Sequence, residues 1–522
     1  MAMNDVQVRR GPRRTAARLA RLAAIVLGLA ALVYGAWLAC NLVDSPARPL
    51  PEAVQPPPWR ETTSQNLFLL LAGVKVDDGQ SPGASGLESW RLNERRAEAL
   101  KTDPKDAARR MEVDPPAGLA DRRSFFREPH AAPWQCPPQA ERLMPCVSAW
   151  WDAADALAAQ RAEASAWGDR CEVALAEATD LDEPWQRVLS LAWVWTEHLM
   201  PARACATWWH TGATLALKAG NATEAVGALT KADRLLRSLQ TGAGTSVTVL
   251  ISQTLVRRHF AVVAQLAQRD PVLAAEAAPL LEDWPAPLPA LRRAVVTDFH
   301  VANDAFRALR PPTACDVPTL GTTPAPEPRP PWPLRALVAV ERWHCTRGVG
   351  VLPEATTQEL ARIAVEQLAR LDRLQTDGAA WAALQAPASS AGPSSSEPSA
   401  WEGIRLLSGM VLGTRWRNGR AQALIDIGRA AQMPHGMAVR AANVELTRRA
   451  AQHLLAVQRD GVGPRERADR LMQAAWPAGQ RERLRWVDEG RVLELRPWPR
   501  VGATPAEPVL LRWPAVTPDR TP

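Results

Sequence analysis

The sequence predicts a mainly α-helical protein with three parts: an N-terminal transmembrane helix, an irregular α-helical body containing one repeat-like hairpin, and a small C-terminal β-hairpin region. Three observations predict it. An uncharged run, LAAIVLGLAALVYGAWLACNLV, occupies residues 22–43. Apolar residues recur at helical spacing through most of the chain after Pro145. The pattern then changes to short β-like runs near residue 483.

The N-terminal run has the length of a bilayer span, which takes about 20 apolar residues. Arg9, Arg10, Arg13, Arg14, Arg18 and Arg21 precede it, and Asp44 follows. The positive-inside rule therefore places the 1–21 arm in the cytoplasm and the body outside it. A cleaved signal peptide fits less well, because its apolar core is about 7–15 residues long and ends at small residues. Trp37-Leu38-Ala39 is a poor exit, and Trp37 and Leu38 also spoil a lipobox before Cys40.

Charge follows from this arm. The chain carries +7 in total, of which residues 1–43 supply +5, leaving a nearly neutral body. A nucleic-acid groove needs a concentrated basic patch. None stands out, so no nucleic-acid partner is expected. The expected partners are the membrane, through 22–43, and a protein of the cell envelope.

Residues 44–60, DSPARPLPEAVQPPPWR, read as a stiff, extended, Pro-rich spacer. NLFLLLAGVKV at 66–76 is a short apolar element, and the loop DDGQSPGASG follows it. Residues 77–135 read as loop-rich. Helical periodicity marks 146–166, 182–199, 204–219, 222–240, 246–268 and 286–309. The β-branched TSVTVLI at 245–251 belongs to a long helix, because its apolar positions continue to Leu266. This first helical region, 61–310, is separated by a Pro-rich linker at 311–333 from a second one at 334–475. A β-containing tail at 476–522 holds a hairpin signal in RLRWVDEGRVLELRPW and a third run in VLLRW.

Beyond Cys40 lie six cysteines: Cys136, Cys146, Cys171, Cys205, Cys315 and Cys345. An even set in an exported body suggests disulfides. Local pairing would join Cys136 to Cys146, Cys171 to Cys205 and Cys315 to Cys345. Six cysteines allow about 15 connectivities, and buried free thiols are the alternative reading.

The stretch WWHTGATLALKAGNATEAVGALTKADRLL (208–236) reads as a tight helix pair. Gly220 suits a left-handed C-terminal cap, Asn221 the next N-cap, and Glu224 a capping box. Trp209, Ala213 and Leu217 share one face, and Ala225, Leu229, Ala232 and Leu236 the other. The pair resembles a tetratricopeptide repeat at Trp209, Ala213, Gly220, Ala225 and Ala232. It departs at Gly212, where Leu is usual, and at Arg237, where Pro is usual. No second copy follows at the repeat period. RLLRSLQ followed by TVLISQTLVRR also resembles single-pass bacterial envelope proteins, a resemblance that implies no activity.

Chemistry is thinly signalled. Asp77 and Asp78 are paired acids on a loop, suited to acid–base work or a cation, but equally to a solvated turn. Glu197, His198 and His210 flank Cys205, and a metal site on His198, Cys205 and His210 is conceivable. Pro201 is expected to break the helix between them, and four ligands are not evident. Trp208 and Trp209 are candidates for a stacking surface. No C-x-x-C, H-E-x-x-H, P-loop or nucleophile-elbow motif is present, so no metal and no cofactor is expected. These features favour an interaction or scaffold component of the envelope. The alternatives are an envelope hydrolase assembled from distant residues and an accessory subunit of a secretion or pilus-type machine.

Overall fold

The computed structural model describes residues 24–36 in part, 44–57, 61–102 apart from 78, 124–125, 146–185, 196–308, 352–376, 433–460, 464–476 in part, 480–487, 492–496 and 509–512. The chain forms two compact units. One comprises Met1–Pro49, Phe306–Leu360 and Ser394–Ala430. The other comprises Leu50–Ala305, Ala361–Pro393 and Ala431–Pro522.

The larger unit is built on helices. α1 (Leu67–Val74) has all eight residues buried, and the Asn66 side chain accepts the Phe68 N–H at its start. α2 (Pro82–Thr102) packs antiparallel against it. Within the stretch expected to be loop-rich, 77–135, this corrects residues 82–102; residues 103–123 and 126–135 lie outside the described residues. The loop ends at Ser81, whose hydroxyl accepts the Ala84 N–H, and PGASG opens a helix. Its glycines are there for closeness. A β-carbon on Gly86 would lie 1.8 Å from the Leu69 carbonyl oxygen, so the two backbones meet without side chains between them. Two-residue strands β1 (Val76–Asp77) and β2 (Ser124–Phe125) pair antiparallel.

The expected helix at 146–166 is instead broken into α3 (Val147–Asp152) and α4 (Ala154–Glu163), and α5 (Ser165–Glu177) follows. The ends of the expected helix at 182–199 differ: residues 182–185 and 196–198 are non-helical, residues 186–195 lie outside the described residues, and α6 spans Leu199–Lys218. Pro201 does not break α6. It lies in the first turn, where backbone N–H groups have no intrahelical acceptor to lose.

α7 (Ala222–Gly242) completes the hairpin. Gly220 has φ +80°, the left-handed conformation expected. The Gly220 N–H reaches the Leu217 carbonyl and the Asn221 N–H the Ala216 carbonyl, which is a Schellman closure. The capping box is altered by it. With the Asn221 N–H already used, Glu224 accepts from the Asn221 side-chain amide at 2.8 Å, while Asn221 Oδ1 accepts the Glu224 N–H. Trp209, Ala213, Leu217, Ala225, Leu229, Ala232 and Leu236 are all buried.

α8 (Ser246–Ala267) begins at Thr245, whose hydroxyl accepts the Thr248 N–H, and confirms TSVTVLI as helical. It is long and apolar enough to cross a membrane by length and composition. It is nevertheless largely buried, carries Arg257, Arg258 and His259 mid-helix, and packs against α6 and α7. We therefore read it as a core helix. α9 (Pro271–Ala277) and α10 (Leu288–Ala308) follow, and later α11 (Pro353–Thr376), α12 (Met433–Arg459) and α13 (Pro464–Gln473).

α12 packs along α8, and its Leu446, Leu454 and Leu455 join the same buried cluster as Leu67 and Leu236. So do Leu484, Leu493, Leu495 and Leu511 from the C-terminal sheet. That sheet is β3 (Leu484–Val487), β4 (Val492–Leu495) and β5 (Val509–Arg512), antiparallel in the order β3-β4-β5. The small β appendix expected is present and is packed into the body.

The spacer residues are extended over much of 44–57, but they lie on protein. Val54 is fully buried, and its carbonyl accepts from His300 Nε2 at 2.9 Å. In the smaller unit, Asp44 accepts the N–H groups of Glu354 and Ala355 at the start of α11. The described residues between 24 and 36 are helical, and Ile25, Leu29 and Leu32 expose 58–70% of their surface.

Candidate functional site

The polar groups of the larger unit gather in two buried centres. The first lies where α8 begins. Residues 180–183 are clipped down by Asn66, whose amide donates to the Asp180 carboxylate and the Asp182 carbonyl, both at 2.8 Å. This delivers Glu183 into the α7–α8 joint, where its side chain is only 4% exposed. Its carboxylate accepts the N–H groups of Gly244 and Thr245 at 2.6 and 2.8 Å. The Thr248 hydroxyl donates to it at 2.7 Å and the Thr245 hydroxyl at 3.2 Å. Burial pushes the Glu183 carboxyl up, against the pull of these bonds.

His198, at the N-cap of α6, is fully buried and lies 3.1 Å from Thr248 Oγ1 through Nε2. Because that hydroxyl donates to Glu183, His198 supplies the other proton as the neutral Nε2–H tautomer. Burial holds it neutral, lowering its pKa to about 3. Asp298, from α10, accepts from the Ser246 hydroxyl, and burial raises it to about 6. This centre ties the start of α8 to three other segments.

The second centre joins α6, α7 and α8. His210 Nε2 and His259 Nδ1 are 3.0 Å apart, and the rings are stacked. His259 Nε2 faces Asp233 Oδ1 at 3.5 Å. The other Asp233 oxygen accepts from Arg237 Nε at 2.6 Å. The Arg237 guanidinium then donates to the carbonyls of Leu280, Glu282 and Asp283 and lies over the Trp284 ring. Arg237, the departure from the repeat pattern, thus clamps α7 to the turn after α9. Burial, with the nearby His259 and Arg258, holds His210 well below the usual imidazole range.

The structure separates the residues that the sequence grouped. Glu197, adjacent to His198 in the chain, instead accepts from the Ser89 hydroxyl at 2.9 Å and pairs with Lys75 at 3.5 Å. Cys205 is bonded to Cys171, Cα to Cα 5.6 Å, so it has no thiolate to offer a metal beside His198 and His210. No group of three or more metal-binding side chains occurs among the described residues. Asp77 forms β1 by its backbone, and Asp78 lies outside the described residues.

Trp208 and Trp209 present no stacking face, since both rings are buried. The Trp208 ring packs on Gly168, with the Arg161 guanidinium 3.7 Å above it. Burial lowers the Arg161 pKa to about 10. The same guanidinium lies against Gly212, which explains the missing Leu there. Trp209 Nε1 donates to Glu172 at 2.7 Å. Of the cysteines, Cys171–Cys205 is paired as expected, and Cys146 is also disulfide-bonded. Cys136, Cys315 and Cys345 lie outside the described residues.

Sequence reasoning missed Glu183, Asp233, His259 and Asp298. Each is one polar residue in an otherwise ordinary segment, and nothing in spacing marks it. A surface groove of about 500 Å³ lies beside α2, lined by Ser64, Gln80, Ala84, Leu87, Glu88, Arg91 and Arg95.

These features define a class: a mainly helical protein in which the buried Cys171–Cys205 disulfide and two polar centres, among the described residues, lock the packing. No protein-family model, curated protein or solved structure matches the chain.

Proposed function

We propose that the chain is a single-pass, membrane-anchored component of the bacterial cell envelope whose helical body lies outside the cytoplasm and acts by binding. The carrying observation is the bare apolar surface of the N-terminal helix, with Ile25 and Leu32 exposed by 62% and 70%. α8 also passes for a span by length and composition, but the body buries most of it. A helix left uncovered in water needs another solvent, and a bilayer supplies it. The preceding arginines orient it with the N-terminus inside.

The Cys171–Cys205 bridge supports an oxidising compartment. The Gly220–Asn221 joint and the Ala225/Ala232 face support a tetratricopeptide-like pair, used here as a building block. The groove beside α2, with two guanidinium groups on one helix face, supports a binding role.

A phosphatase reporter that matures only after export, fused after Val43, tests the topology. Activity is expected with the full N-terminus and not after replacing residues 22–43 with a polar linker. Activity of a cytoplasm-only reporter at the same junction would overturn the orientation. For the binding role, a photo-crosslinking residue at Leu87 is expected to give one reproducible adduct in cells, and its consistent absence would remove that reading from the groove.

A further inference from the structure

We infer that the His210–His259 contact is an acid-sensitive latch: it holds α6, α7 and α8 together through the one proton shared between the two rings and releases them when His210 takes up a second.

The two facing nitrogens, His210 Nε2 and His259 Nδ1, are 3.0 Å apart, so one proton lies between them. Both residues are 0–1% exposed. His210 Nδ1 has no hydrogen-bond partner among the described residues. A first added proton has two places to go. On His210 it makes a buried cation beside Arg258 of α8. On His259 it faces Asp233, but it drives the His210 proton onto Nδ1, where a buried donor is left without an acceptor. A second proton turns both facing nitrogens into donors, and the contact cannot persist.

The surroundings do not relieve a charge on His210. From α7, Asp233 holds Arg237 through Oδ2 and turns its other oxygen to His259 rather than His210, and Arg237 is fixed to the 280–284 turn. From α8, Arg258 is cationic. From α12, Arg448 reaches the Leu281 carbonyl of that turn, with Glu445 held by Arg448 and Arg449. Two sequence-distant histidines, 49 positions apart, thus set a joint on which three helices converge.

The sign follows from burial. A histidine held neutral when closed but free to titrate near its ordinary pKa when open destabilises the closed form as pH falls. For one such group with an open-state pKa of about 6.5, moving from pH 7.5 to 5 raises the open population about 30-fold.

Hydrogen exchange of the full chain in detergent, read by mass spectrometry across residues 199–267, tests this. Protection is expected to fall by about 30-fold, after correction for intrinsic rates, between pH 7.5 and 5. His210→Phe keeps a stacked ring without a titrating nitrogen and should flatten that dependence. His198→Gln, in the separate polar centre at the start of α8, should retain it in the peptides that carry His210 and His259. Equal corrected protection at both pH values, or an unchanged profile in H210F, would overturn the latch. Should H210F fail to fold, imidazole-nitrogen NMR of the selectively labelled wild type decides: a His210 titrating near pH 6.5 while the chain stays folded overturns it, and one staying neutral until the helices open supports it.

Discussion

Glu183 and Thr248, 65 positions apart in the chain, meet in the core with a carboxylate oxygen 2.7 Å from a hydroxyl. A single glutamate on a non-helical segment thereby caps a helix from outside, also taking the N–H groups of Gly244 and Thr245. Anions suit helix N-termini because the first N–H groups lack partners and carry partial positive charge. Replacing Glu183 with Ala strands those donors in the core. The expected loss is roughly 2–4 kcal/mol, at about 1–3 kcal/mol per unsatisfied group. Urea unfolding of the variant measures it, and a loss within error of zero would show that the contact does not hold the joint.

The two polar centres also predict how stability depends on pH. His198 and His210 have depressed folded pKa values, so their contribution is complete above the ordinary histidine range and is lost as pH falls through it. Asp298, raised to about 6, works the other way. Its contribution is present below the ordinary aspartate range and is lost as pH rises through about 6, and Glu183 has the same sign. Between about pH 4 and 6 the two signs therefore oppose each other. Asp298→Asn should steepen the rise of melting temperature with pH across that window, and an unchanged slope in the variant would contradict the assignment.

Cys171 and Cys205 close a loop of 34 positions between α5 and α6, both fully buried. Reduction, or Cys171→Ser, is expected to cost about 2–5 kcal/mol. Differential scanning calorimetry with and without reductant reads the loss. Mass mapping after alkylation of the unreduced, denatured chain should leave both residues unmodified.

Two glycine substitutions should go in opposite directions. Gly86→Ala would drive a β-carbon into the Leu69 carbonyl and is expected to destabilise by about 1–3 kcal/mol. Gly227→Ala meets open space within α7 and is expected to stabilise by up to about 1 kcal/mol. Chemical denaturation of the pair checks both, and equal effects would mean that the α1–α2 approach is looser than its backbone distance.

Sequence alone determined the features that depend on near neighbours. The Gly220–Asn221 joint, the helical reading of 245–251, the apolar faces of α6 and α7, the late strands and the Cys171–Cys205 pair were all legible, because each follows from local periodicity, capping or proximity. Tertiary structure decided the rest. PGASG became a helix because another backbone lies against its glycines. Pro201 was harmless because of its place in the first turn, and Glu197 and His198 parted because adjacent side chains at a helix start point to different neighbours. Glu183 and Thr248, and His210 and His259, meet only once the helices are packed. A buried polar group is selected by the partner that folding brings to it, and that partner leaves no mark on the residues beside it in the chain.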